Sequence, residues 1–103
     1  MTEMRSDYDS EANSISIEFK AVDSAERADQ VHERAIVALR DGSPVELQLL
    51  YPDLGLNEPI HAAAERYELD PQALAAAAAA ALAAPDRLVT LDIGIVQSPN
   101  RIG

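Results

Sequence analysis

Two histidines lie near acidic residues at spacings that could hold a divalent metal ion. His61 follows Glu58 by three residues and precedes Glu65 by four, so a helix would place all three on one side. Imidazole and carboxylate groups are common zinc ligands. The alternative is a hydrated polar face near a helix start, where Glu58 also suits the helix dipole. His32 lies in a similarly charged stretch, residues 29–33. The sequence favours hydrated faces, and we assign no metal ligands.

Other catalytic arrangements have little support in the sequence. The serines lie in predicted loops or on the polar side of a strand, without the Gly-x-Ser-x-Gly elbow that exposes a nucleophile. The carboxyl groups of Asp7, Asp9 and Glu11 could raise one another's pKa if packed together, but hairpin carboxylates are usually hydrated. The glycines are scattered and form no phosphate-binding loop. We therefore predict that the protein is not an enzyme, with no catalytic residues and no cofactor.

Composition narrows the class of protein further. The 103 residues suit a single domain spanning 1–103, and the net charge of −10 disfavours nucleic acid and anionic membranes as partners. Without cysteine there is no disulfide and no thiolate chemistry. Residues 73–84 form an uncharged run of 12, well short of the roughly 20 that cross a bilayer. Because residues 1–7 are polar rather than an apolar leader, we expect a cytoplasmic protein.

The first half of the chain, residues 4–51, alternates apolar and polar residues as strands with one buried face do. The predicted strands are residues 4–8, 14–20, 29–33, 35–39 and 44–51. Turn residues separate them, including the Asp41-Gly42 pair that is typical of tight hairpins. Residues 22–28 are predicted to be a loop, with an alternative of one helical turn beginning at Ser24.

Aromatic and aliphatic residues of these strands are expected to form the core. On the last strand of this region, one face is predicted to carry Val45, Leu47, Leu49 and Tyr51. The four aromatic residues are interpreted as core side chains rather than as base-stacking platforms, which require a basic surface. They are Tyr8, Phe19, Tyr51 and Tyr67.

From Asn57 onward the apolar residues recur at the spacing of a helix, and a helical hairpin is predicted over residues 57–84. Asn57 is the expected cap of a first helix at about 58–69, with Pro59 just inside its start. Its buried stripe is predicted to be Ile60, Ala63, Ala64 and Tyr67. Asp70 and Pro71 repeat the start signal for a second helix at about 71–84.

The second helix contains seven consecutive alanines, residues 75–81. Because it is apolar all round, we expect it to be buried on more than one side. A final apolar strand is predicted at about 88–96, followed by a flexible tail at 97–103. An isolated strand must join a sheet edge, in its own chain or in a partner's. The fold class is therefore α+β: a small antiparallel sheet of four to five strands in hairpins, two helices packed on it, and a C-terminal strand.

Residues 4–51 resemble a known family. The motifs are Tyr8-Asp9, Asn13, the alternation from Ile15 to Phe19, the Asp41-Gly42 turn, and the apolar strand 45–50. This pattern resembles the bacterial domain-of-unknown-function family 2283. The resemblance implies a small, mostly antiparallel sheet with no established activity, and the family's frequent proximity to small toxin-like genes implies an interaction partner.

Two functions from different classes are compatible with the sequence. The first is a non-enzymatic homodimeric interaction module, in which the alanine helix and the final strand shelter against a second copy. The second is an acidic antitoxin-like or nucleic-acid-mimic protein that binds a basic partner, since residues 1–33 hold nine acidic and three basic residues. A third interpretation is that the charge only maintains solubility.

Overall fold

The computed structural model describes residues 2–19 and 25–93. It shows the predicted α+β fold, in which five antiparallel strands precede two helices and a C-terminal strand completes the sheet. The elements in chain order are β1 (Thr2–Asp9), β2 (Ser14–Glu18), β3 (Arg27–His32), β4 (Ala35–Arg40), β5 (Ser43–Leu50), a short 3₁₀ helix (Pro52–Leu54), α1 (Asn57–Tyr67), α2 (Pro71–Ala83) and β6 (Val89–Ile93).

All six strands form one antiparallel sheet in the order β3-β4-β5-β2-β1-β6. β1 lies inside the sheet, between β2 and β6, although it comes first in the chain. Both helices pack on the same core, α1 over β3, β4 and β5 and α2 over β1, β2 and β6. No helix of the described residues packs on the opposite face of the sheet, and we call it the open face.

Turn chemistry explains the two central hairpins. The Asp9 carboxylate accepts hydrogen bonds from the backbone N–H groups of Glu11 and Ala12, at 3.0 and 3.1 Å, and so orders the β1–β2 turn. Asp41 and Gly42 both have positive φ, 54° and 79°, as the two-residue hairpin between β4 and β5 requires. Both predicted hairpins are therefore confirmed.

Two predictions in the first half need correction. The predicted loop at 22–28 ends early, because β3 begins at Arg27; the alternative helical turn at Ser24 falls outside the described residues. Tyr51 does not join the buried face of β5. It has a left-handed φ of 49° just before Pro52, which turns the chain away, and 52% of its surface is exposed. Phe19 is buried as predicted, and Tyr8 and Tyr67 pack half-buried against the core.

The two helices begin differently. The Asp70 carboxylate accepts a 3.0 Å hydrogen bond from the backbone N–H of Gln72, so the predicted cap of α2 is confirmed. α1 starts one residue earlier than predicted: Leu56 occupies the cap position and no side chain caps the helix, so the prediction for Asn57 was wrong. Glu68, at φ 53°, ends α1, and Leu69 is buried beyond that end.

The core lies between the two helices and one face of the sheet. Its fully buried side chains include Met4, Ile15, Ile17, Val37, Leu47, Leu49 and Leu74. The predicted stripe of α1 is buried at Ile60, Ala63 and Ala64. In the part of the chain that the structure describes, α2 is buried on one side, through Ala73, Leu74, Ala77, Ala78 and Ala81. The expectation of burial on more than one side is therefore not met by this chain alone.

The C-terminal strand pairs within its own chain. β6 runs antiparallel to β1, with Thr2 opposite Ile93 and Ser6 opposite Val89. Residues 94–96 of the predicted strand and the predicted tail 97–103 lie outside the described residues. Among the described helices, none combines the length and the apolarity needed to cross a membrane.

Candidate functional site

The open face of the sheet gathers charged side chains from three adjacent strands. The register of β1, β2 and β5 sets Arg5 opposite Glu18 and Glu18 opposite Glu46. One step along, Asp7 lies opposite Ser16. Each of these residues alternates with a buried neighbour, so the pleat that fills the core also directs them to the open side. The sheet thereby places carboxylates from distant parts of the chain side by side.

These side chains line a shallow groove of about 210 Å³. Its lining residues are Arg5, Asp7, Ser16, Glu18, Glu46 and Leu88. The Arg5 guanidinium contacts the Glu18 carboxylate at 2.8 Å. Partial burial raises the pKa of Glu46, and the negative charges of Glu18 and Asp7 raise it further. Partial burial likewise raises the pKa of Asp7, followed by the charges of Asp9 and Glu18. The groove therefore holds more negative charge than Arg5 balances.

A second hollow of about 480 Å³ lies at the end of β1, lined by Asp7, Asp9, Asp86, Arg87 and Leu88. Asp86 joins the segment after α2 to the first hairpin. Its carboxylate accepts hydrogen bonds from the backbone N–H and Oγ of Ser10, at 3.0 and 2.7 Å, and these bonds lower its pKa. Its role is to hold the segment that leads into β6.

The residues considered as metal ligands are not brought together. In the part of the chain that the structure describes, no group of three or more histidine and acidic side chains is arranged to hold a metal ion. His61 is exposed on α1. His32 lies in β3, where Nδ1 accepts a 3.1 Å hydrogen bond from the backbone N–H of Arg34 and Nε2 lies 3.9 Å from the Glu58 carboxylate. This geometry describes a surface ion pair when His32 is protonated.

The three carboxylates of the first hairpin have separate roles. Asp9 orders the turn and Glu11 is exposed there, whereas Asp7 belongs to the open-face groove. Alternation along β5 places Glu46 on the side opposite the buried residues, but it does not identify Glu18 and Glu46 as neighbours. The alternation of Glu18 with Ile17 and of Glu46 with Leu47 gives the face of each residue. Their pairing depends on the order of the strands.

A different surface lies at the β6 end of the molecule. Val89 and Leu91 face the helix layer, yet both are only half-buried. The adjoining outer side of α2 carries Ala75, Ala76, Ala79, Leu82 and Ala83, all exposed and uncharged. We call β6 and the outer side of α2 the apolar edge.

At the opposite end of the sheet, polar side chains of α1 contact β3. Asp29 of β3 accepts a 2.5 Å hydrogen bond from the Tyr67 hydroxyl, and the Arg66 guanidinium lies 3.5 Å from the same carboxylate. Burial raises the pKa of Tyr67, and the hydrogen bond to Asp29 raises it further. These contacts tie α1 to β3, the edge strand on which Val31 is the partly exposed apolar residue that packs against the core.

Comparison with known proteins adds no relative. No family model matches the chain, and neither a curated protein nor a solved structure matches it. The resemblance of residues 4–51 to the bacterial domain-of-unknown-function family 2283 stays a prediction, and the proposals below do not depend on it.

Proposed function

We propose that the protein is a non-enzymatic interaction module that acts as a homodimer. The observation that carries this proposal is the apolar edge, where Val89 and Leu91 of β6 stay partly exposed and the outer side of α2 is exposed and uncharged. Apolar groups left at the rim of a small core gain free energy when a partner covers them, by about 25 cal/mol for each Å² removed from water. The occupant we propose is a second copy, because α2 is uncharged and β6 carries one ionisable residue, Asp92, so that two acidic chains bring few opposing charges together at this edge.

The charge argument follows from the net charge of −10. Two copies repel each other over most of their acidic surface, and that repulsion is smallest where both carry no charge. α2 contains no charged residue between Pro71 and Ala83. A contact made mainly through the edge of β6 lies at the small end of the range for specific interfaces, so we expect association in the micromolar range.

Light scattering coupled to size-exclusion chromatography tests the proposal. The expected result is a mass that rises with concentration from 11.1 kDa toward twice that value at micromolar protein. Added salt should strengthen the association, because it screens the repulsion between two acidic chains. If the measured mass stays equal to that of one chain at every micromolar concentration, at low and at high salt, the homodimer proposal is wrong.

The open face favours a second candidate function, the binding of a basic protein partner in the manner of an antitoxin or nucleic-acid mimic. Asp7, Glu18 and Glu46 crowd one groove with a single guanidinium. A basic side chain laid across them would relieve the repulsion that raises the pKa values of Asp7 and Glu46. Charge complementarity of this kind gives fast, salt-sensitive association.

Fluorescence anisotropy with a labelled arginine-rich peptide tests this candidate. We expect binding at low salt that weakens as salt is added, and at least a tenfold loss in the double variant Glu18→Gln with Glu46→Gln. Glu65→Gln with Glu68→Gln is the matched control, because both residues are exposed on or just after α1 and the net charge changes equally. Equal losses in the two double variants would show that net charge alone attracts the peptide, and the open face would then have no specific role.

A further inference from the structure

We propose that β6 is the dimer strand: the β6 strands of two copies pair antiparallel about a two-fold axis at Leu91 and join the two sheets into one. This inference rests on the homodimer proposed above and specifies its interface. The two-fold axis stands perpendicular to the sheet, because antiparallel pairing of identical edge strands preserves the face that each residue occupies. Both helix layers therefore lie on one side of the joined sheet.

The two edge strands, β3 and β6, differ in how readily they can pair with a further strand. β3 has a register shift between Gln30 and His32 and carries the ionisable residues Arg27, Asp29 and His32. Bulges and charges of this kind are common ways to prevent edge pairing. β6 instead contains one ionisable residue, Asp92, and pairs with β1 through five consecutive residues without a register shift. Among the described residues none pairs with its outer side, which is where a further strand would bond to its outward N–H and C=O groups.

The partial exposure of Val89 and Leu91 also supports β6 as the strand that pairs with a second copy. On the neighbouring strand, Met4 and Ser6 are fully buried, whereas their partners Leu91 and Val89 are only half-buried. The difference arises because β1 has a strand on both sides and β6 has one on its inner side only. A second β6 would supply the missing neighbour and set Leu91 opposite Leu91 of the second copy, which is the cross-strand contact that stabilises sheets.

Centring the axis on Leu91 pairs all five residues from Val89 to Ile93. A shift of the axis by one residue in either direction shortens this overlap. Because α2 lies over β1, the two α2 helices would be separated by three strand spacings, about 14 Å. Direct helix contact needs about 8 to 10 Å, so the helices flank the junction and the side chains of Val89 and Leu91 fill the space between them.

The joined sheet also has a consequence for the open face. Because both copies present it on the same side, the two grooves around Asp7, Glu18 and Glu46 become parts of one larger acidic surface. The dimer would then offer a basic partner two symmetric sites instead of one.

Disulfide trapping tests the strand pairing directly. The chain contains no cysteine, so Leu91→Cys introduces the only thiol. Directly opposed residues of antiparallel strands have Cβ atoms about 4.5 to 5.5 Å apart, close to the separation that a disulfide spans. Under mild oxidation we expect a covalent dimer of Leu91→Cys as the main species. Gln30→Cys, on the exposed side of β3, is the matched control and should remain mostly monomeric.

Two further variants test the same interface without an oxidation step. Leu91→Lys places two like charges at the axis, and we expect the dissociation constant of the dimer to rise at least a hundredfold. Leu91→Met retains an apolar side chain and should keep the dimer. Circular dichroism melting of each variant confirms that the monomer remains folded.

The outcomes separate this inference from the proposed function. A monomeric wild type contradicts both. A dimeric wild type whose Leu91→Cys and Gln30→Cys variants cross-link equally, or whose Leu91→Lys variant remains dimeric, overturns the β6 interface and leaves the homodimer standing. A dimeric wild type whose Leu91→Cys variant stays uncross-linked under the same oxidation also overturns it.

Discussion

Ser6 of β1 and Ala77 of α2 are joined by a buried hydrogen bond, although they are 71 positions apart. The Ser6 hydroxyl donates to the Ala77 carbonyl oxygen over 2.9 Å, and both residues are fully buried. The alanine surface of α2 permits this contact, because side chains without bulk let the helix backbone approach the strand. The bond connects the first strand to the second helix at the centre of the core.

Replacing this serine should weaken the fold measurably. Ser6→Ala removes the donor, and the Ala77 carbonyl remains within its helix, so we expect a loss of about 1 kcal/mol in the free energy of unfolding. Urea denaturation measures the loss. Ser16→Ala, on the open face, is the matched control and should change stability by less than about 0.5 kcal/mol. Equal effects at the two positions would contradict the role given to the buried bond.

The two helix starts make a second matched pair. Asp70→Ala removes the side chain that accepts from the Gln72 N–H, and we expect it to cost about 1 kcal/mol of stability. Asn57→Ala should cost much less, because no side chain caps α1. Thermal or urea unfolding of both variants measures the contrast. A larger loss at Asn57 than at Asp70 would reverse the assignment of the caps.

Glu46 should make stability depend on pH. Its pKa is raised in the folded chain, so the folded state holds this proton more tightly than the unfolded state does. Stability contributed by Glu46 is therefore present at pH values below its ordinary pKa of 4.5 and is lost as pH rises through the raised value. We expect Glu46→Gln to stabilise the protein at neutral pH by less than about 1 kcal/mol, because water screens a partly exposed group.

Urea denaturation across a pH series tests this prediction. The advantage of Glu46→Gln over the wild type should shrink as the pH falls below 4.5, where the wild-type carboxyl group also becomes neutral. Glu65→Gln, exposed on α1, controls for the change in net charge. A Glu46→Gln variant that is less stable than the wild type at neutral pH would mean that the carboxylate makes a favourable contact that outweighs the crowding.

Local signals in the sequence account for most of the elements. Alternation predicts the strands, the Asp41-Gly42 pair predicts a hairpin, and Asp70 with Pro71 predicts the start of α2, because each signal depends on residues close together in the chain. Tyr51 shows where such signals fail. It continues the alternation of β5, but its left-handed backbone ahead of Pro52 ends the strand.

The candidate site depends on information that alternation does not contain. Glu18 and Glu46 become neighbours only because β2 pairs with β5 rather than with β3, its successor in the chain. Strand order reflects the packing of the whole sheet under two helices, and no local pattern specifies it. The same holds for the apolar edge, since the half-burial of Leu91 follows from the position of β6 beyond β1.

The place of β1 inside the sheet has a consequence for the protein's biogenesis. On the ribosome, β1 is synthesised first, yet its partner on one side, β6, emerges only after both helices. Until then the nascent chain keeps Met4 uncovered and a strand edge unsatisfied, which is the condition under which chains aggregate. Pairings between such distant segments also slow folding. Slow translation would therefore lengthen the period in which this edge of β1 stays unpaired.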